Sequence, residues 1–312
     1  MRRGVMRPGV AAVGAVLIAC TSAPIGPAQA GPAVGQFELK TLESEPGEVE
    51  FQSQNAYAFG NPDRKIIQDP GGDIEADDNS LARQRNALEL EFGITRYLKT
   101  RIGIEYEKER REDLTTPAEA NSYEDLKLDE YAVEAIGIVI PRRGDGIGLG
   151  AVVEYEIAAE KGGGQSLNYG PIVEWANGPW LITIIPTLVQ SFGGERNEAG
   201  QKDEKLDFAY ANQIKYHYSS ALDLAVEFYG TIDRICGRGG KSDEAALFGD
   251  FDQHRMGPVL YWNFTPSFAK AADKDDDQDD DEQMVSLGIG TLFGLNDNTP
   301  STTLKLSMEV IF

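Results

Sequence analysis

Cysteine and histidine are almost missing from this chain: two of each occur in 312 residues, at Cys20, Cys236, His217 and His254. A disulfide needs two cysteines in the finished chain, and a structural zinc site needs four ligands at close spacings, so neither framework is expected. Long apolar runs are missing too. Beyond the first thirty residues nothing approaches the roughly 18 consecutive apolar residues of a membrane-crossing helix. Basic residues are scarce, with Lys+Arg 29 against Asp+Glu 51 and a formal net charge of −22. A nucleic-acid phosphate backbone requires a basic footprint, so nucleic acid is excluded as a partner. Small solutes or cations suit an acidic chain better.

The two ends carry signals of their own. Arg2, Arg3 and Arg7 precede an apolar stretch from Val10 to Ala19, and Ala28-Gln29-Ala30 supplies a small-residue cleavage site. Residues 1–30 therefore read as a secretory signal peptide, removed before folding. Leu17-Ile18-Ala19-Cys20 also resembles a lipobox, which would make Cys20 a lipidated amino terminus. Residues 31–46 are left as a periplasmic N-terminal segment. At the far end Leu304, Leu306, Met308, Val310 and Phe312 alternate with Thr303, Lys305, Ser307 and Glu309. Period-two alternation gives a strand with one apolar and one polar face.

The same alternation recurs from Gly47 onward, near 47–59, 84–95, 97–108, 126–140, 146–158, 166–177, 179–192, 206–218, 221–233, 253–264, 283–293 and 302–312. A helix would scatter the charges of these segments around its circumference, whereas a strand gathers them on one side. Tight links at Thr95-Arg96, 141–145, Asn177-Gly178 and Ser219-Ser220 alternate with long polar links at 60–83, 109–125, 159–165, 193–205 and 234–252. Asn-Gly between alternating runs is a strong hairpin signal. Tyr97, Trp175, Trp180, Tyr218, Trp262 and Phe312 fall beside the short turns, and Tyr57, Phe59, Tyr131 and Phe228 toward the opposite ends. Pro171, Pro186 and Pro258 interrupt strands, which predicts bulges there.

Leader, alternation, loop asymmetry, aromatic placement and terminal Phe312 together resemble a Gram-negative outer-membrane β-barrel. The resemblance implies an all-β fold, an antiparallel up-and-down transmembrane barrel of about 12 strands over 47–312, in the cell outer membrane. It implies outer-membrane lipid and the barrel-assembly machinery as partners, with Phe312 as the membrane assembly signal. Length and strand layout also resemble the barrel family linked by name to the MetA pathway of phenol degradation, regarded as transporters. A soluble periplasmic β-sandwich would alternate in the same way.

On a barrel, the polar parity turns inward, because a Lys or Arg facing lipid at the midplane costs about 2–4 kcal/mol. That places Glu89, Glu91, Lys99, Arg101, Glu105, Glu134, Glu154, Glu156, Glu174, Lys215, Asp223 and Glu227 along the pore. The lumen is expected to be polar and mainly acidic, suited to a passive channel or uptake transporter for small solutes. The competing reading is a barrel sealed by its own ion pairs, acting through its surface loops. The Asp-rich run at 273–282 lacks the spacing of a calcium loop and reads as a solvated part of the turn at 265–282. His217 and His254 fall near opposite ends of their strands, so no catalytic pair, metal site or cofactor is expected and the chain is read as a non-enzyme. Gly146, Gly148 and Gly150 lie inside a strand with no following helix, which excludes a phosphate loop and leaves room on the inner wall.

Overall fold

The computed structural model describes residues 37–312 apart from 65, 69–73, 77–81, 112, 113, 143, 162, 194–204, 238–251 and 267–283. The leader with Cys20 and the Asp-rich run at 273–282 lie outside the described residues.

Among the described residues fourteen strands follow one another: β1 (Val49–Phe59), β2 (Ile66–Gln68), β3 (Ile74–Ala76), β4 (Gln84–Thr95), β5 (Leu98–Lys108), β6 (Lys127–Ile140), β7 (Gly146–Ala158), β8 (Gly164–Asn177), β9 (Trp180–Gly193), β10 (Lys205–Ser219), β11 (Leu222–Gly237), β12 (Gln253–Phe264), β13 (Met284–Gly294) and β14 (Thr302–Ile311). Strands β2 and β3 make a separate hairpin inside the first long link, and the other twelve pair with their chain neighbours as a closed antiparallel barrel. Closure runs through β1 and β14, which pair from Glu50 opposite Ile311 to Phe59 opposite Thr302. A sheet closed on itself has no free edge, and this removes the sandwich alternative.

The facing follows the alternation. Leu90, Ile102, Val133, Val153, Ile184, Leu224, Ile289 and Leu306 stay exposed on the outside of the isolated molecule, while Glu91, Arg101, Glu134 and Glu174 are buried within. An exterior of this kind would be costly in water and is suited to hydrocarbon, with the backbone of the wall paired strand to strand around the closed ladder. Tyr97, Trp175, Trp180, Tyr218, Trp262 and Phe312 form an exposed aromatic rim on the short-turn side, and Phe59, Tyr131 and Phe293 are exposed toward the long-loop side. Such rings belong at the bilayer interfaces. The molecule is a transmembrane β-barrel of the outer-membrane type.

The prolines behave differently from expectation. Register is continuous across them, from Tyr169 opposite Leu188 to Val173 opposite Ile184, and from Met256 opposite Phe293 to Val259 opposite Gly290. No residue is inserted; only the rungs between those pairs are missing. A β-carbon on Gly170 would collide with the carbonyl of Pro186, and one on Gly257 with that of Thr291. Glycine beside each gap lets the backbones close up, so the missing N–H costs a rung and leaves the register intact. The bulges lie elsewhere, for example between Glu105 and Tyr106 and between Ile138 and Ile140.

Candidate functional site

The enclosed face is built by strand parity, and two clusters of charge organise it. The first centres on Arg101 of β5. Its guanidinium reaches Glu91 Oε2 at 2.7 Å and Glu89 Oε2 at 3.5 Å, and pairs with Glu38; Glu134 Oε1 stands 3.8 Å away. Lys99 pairs with Glu91 Oε1 at 2.7 Å and donates to Thr41 Oγ1 at 3.1 Å. The second centres on Glu227 of β11, which accepts from Lys305 Nζ at 2.7 Å, Tyr229 at 2.7 Å, Gln213 at 2.8 Å and Tyr261.

Of the residues expected along the pore, Glu89, Glu91, Lys99, Arg101, Glu105, Glu134, Glu174, Asp223 and Glu227 are all buried on this inner face. Glu154, Glu156 and Lys215 share the inward parity and are half-buried. They do not form one site. Glu89, Glu91, Lys99, Arg101, Glu134 and Glu154 meet around the first cluster, and Glu156 accepts from Ser166. Asp223 sits at the short-turn rim with His217 Nδ1 at 2.9 Å and Asn263 Nδ2 at 3.0 Å, while the Lys215 ammonium lies 5.0 Å from the centre of the Tyr261 ring. His254 is at the long-loop rim, its Nδ1 2.9 Å from the Tyr210 hydroxyl. The two histidines stay apart.

Parity also admits members beyond those twelve. Lys305 and Glu309 occupy the polar side of β14, Arg85 pairs with Glu107, and Tyr229 and Tyr261 complete the Glu227 cluster. Like charges face each other across neighbouring strands at Glu50–Glu91, Glu134–Glu154 and Glu105–Glu130. Direct carboxylate pairs of this kind oppose sheet stability unless a cation intervenes. The carboxylate oxygens of Glu105, Glu130 and Glu156 lie within 4.8 Å of one another, as do those of Glu107, Glu109 and Asp129.

Much of the missing cation comes from outside the wall. Residues 37–46, within the stretch expected as a periplasmic segment, run through the lumen as an extended strap. Near the short-turn rim Ser44 Oγ donates to the Thr95 carbonyl at 2.9 Å, and Glu43 pairs with Arg142. Deeper in, the Leu42 N–H donates to Glu174 Oε1 at 3.0 Å, and Lys40 pairs with Glu134 and stands 3.5 Å from Glu154. Deepest lies Phe37, whose carbonyl accepts from Tyr229 at 2.8 Å and whose ring sits 4.7 Å from the Arg255 guanidinium. Where the strap meets β1, burial raises the pKa of Glu48, Lys99 opposes the shift, and Glu45, Glu91 and Glu309 add to it.

The lumen is accordingly not polar all round. Ile136, Ile138, Val152, Ile172, Ile185, Val259 and Leu292 form an apolar inner patch, and Phe37 and Leu42 complete it. Burying two such side chains contributes about 1.5–3 kcal/mol each toward ordering a strap whose own backbone joins no sheet. A β-carbon at Gly150 would stand 2.5 Å from Leu42 Cδ2, and one at Gly148 3.0 Å from Leu42 Cδ1, so the room these glycines leave on the inner wall is what Leu42 fills. The long-loop rim is also ordered in part. Arg83 stacks over Tyr123 at 4.6 Å, and Asn121 donates to Asp63 at 3.0 Å, drawing residues 61–64 onto the stretch around Pro117–Glu119.

No protein-family model and no curated protein matches the sequence, so the likeness to the MetA-pathway barrels finds no support there. Among solved structures the chain is similar to the NanC porin, with a TM-score of 0.47 and 9% identity over 84% of this chain and 98% of that one. It is also similar to the translocator domain of the autotransporter NalP from Neisseria meningitidis (0.42, 8%, covering 86% and 89%) and to the KdgM porin in complex with disordered oligogalacturonate (0.41, 5%, covering 85% and 98%). These likenesses concern architecture alone.

Proposed function

We propose that the barrel is a passive channel or uptake transporter for small solutes, with a carboxylate-rich lumen that favours cations. One observation carries the reading: Glu50–Glu91, Glu134–Glu154 and Glu105–Glu130 face one another on the inner wall. A barrel interior that served only as filling gains nothing by opposing like charges, since such a pair weakens the sheet wherever no cation stands against it. Rings of acid along a water-filled passage do have a use, because they concentrate cations and repel anions. A barrel of this strand number lies between the filled small barrels and the open porins.

The test is the reversal potential of the purified protein in planar bilayers across a potassium chloride gradient. Discrete current steps with a cation-selective reversal potential are expected. Replacing Glu154 and Glu156 together by glutamine should move that potential toward zero while leaving the ion pairs of Arg101 with Glu38, Glu89 and Glu91 in place. A second reading, a sealed scaffold acting through the loops at 60–83, 109–125 and 234–252, is favoured by the burial of Lys99, Arg101 and Lys305, each 2% exposed. Silent bilayers under all conditions would select it and reject the channel.

A further inference from the structure

The strap at 37–46 is held differently from everything else in the barrel. The twelve-stranded wall closes without it, through the pairing of β1 with β14. Among the described residues the strap forms no strand, and it meets the wall at successive depths through the side chains of Glu43, Lys40, Glu38 and Phe37 and the backbone of Leu42 and Phe37. Among the described residues it is continuous with the wall only through Gly47, where a φ of +93° turns the chain and the N–H donates to the Gly93 carbonyl at 2.8 Å. Its partners are suited to a guest. The acids that hold Lys40 project into a space that water would enter if the strap left, so they would be rehydrated instead of stranded in a dry core. The recess at Gly148 and Gly150 and the polar groups of Glu174 and Tyr229 belong to wall strands, and Leu42 and Phe37 occupy them.

We infer that residues 37–46 are a displaceable plug that closes the lumen from within. The inference rests on the channel reading of the barrel. An ion crossing the lumen must pass the level at which Lys40 bridges toward Glu134 and Glu154, and there the strap lies across the lumen, its Lys40 on the acids of β6 and β7 and its Leu42 and Phe37 on the apolar patch. Swinging the strap out about Gly47 exchanges its ion pairs for hydrated carboxylates. It converts a sealed interior into an acid-lined passage. The like-charged pairs on the wall and the lone cationic side chain on the strap thus belong to one device, with the strap holding the place of the permeant cation.

Three proteins are compared in planar bilayers: the intact chain, a form lacking residues 37–46, and Lys40→Glu, which keeps the strap but sets a carboxylate against Glu134 and Glu154. A shift in gel mobility on heating confirms that each is a folded barrel. Removal of the strap and the charge reversal should each raise the mean conductance several-fold over the intact chain. A disulfide joining Leu42→Cys to Gly150→Cys, in a Cys236→Ser background, should hold the current at or below the intact level until a reductant releases it. Equal conductance from the intact and strap-free barrels would overturn the plug and leave the channel standing. Silence from all of them would overturn the channel reading and the plug with it.

Discussion

Replacing Arg101 by methionine should destabilise the folded barrel by about 3–5 kcal/mol, the range for breaking a buried ion pair by removing one partner. Arg101 is 2% exposed and serves Glu38, Glu89 and Glu91, with Glu134 close by. Methionine fills a similar volume, so the loss would report charge and not a cavity. The carboxylates left behind face one another in a confined space. Converting Glu91 to glutamine in the same protein should recover part of the loss, because the double variant no longer strands that charge. Denaturant unfolding of detergent-folded or bilayer-inserted protein measures both changes. A loss below about 1 kcal/mol would mean that the cluster is solvated and screened like a surface pair, and the account of a packed interior would fail.

A charge placed on the outer wall should cost an amount that depends on its depth. Ile102 lies near the middle of β5 and is 51% exposed; Ile94 is also 51% exposed, but stands beside the short turn after β4. Ile102→Arg should destabilise the bilayer-inserted barrel by about 2–4 kcal/mol, whereas Ile94→Arg should cost about 0–1 kcal/mol, because a side chain near the interface can reach water. The two positions are equally exposed in the isolated molecule, so the difference reports the lipid. Matching small effects, as on an ordinary wet surface, would contradict a hydrocarbon-facing wall. The comparison requires reversible unfolding from bilayers.

Much of this architecture is legible in the alternation because a strand repeats every second residue, and one slip would reverse every side chain. Leu98–Lys108 and Gly146–Ala158 are bounded almost where their charges alternate with Ile102 and Val153. The burial of Glu89, Glu91, Arg101 and Glu134 follows from that parity, as that of Lys305 would have, had its side of the last strand been carried into the lumen. The strap was not legible. Phe37, Lys40 and Leu42 make contacts of unequal depth with β11, β6, β7 and β8, and no period in the sequence encodes such a path. The hairpin at Ile66–Gln68 and Ile74–Ala76 is too short for alternation to show. At the prolines, ring chemistry pointed to bulges; the neighbouring glycines Gly170 and Gly257 decided otherwise by letting the strands close.

The three tryptophans supply the most direct test of the central claim, that the apolar face of this barrel meets lipid while its charges are enclosed. Trp175, Trp180 and Trp262 are all exposed and all lie at the short-turn rim. Their intrinsic emission in reconstituted bilayers can be read against lipids brominated at graded depths. Blue-shifted emission, quenched most strongly by bromines high on the acyl chain, is the predicted result, since indole rings settle where apolar and wet regions meet. Red-shifted emission that brominated lipid leaves untouched would contradict it.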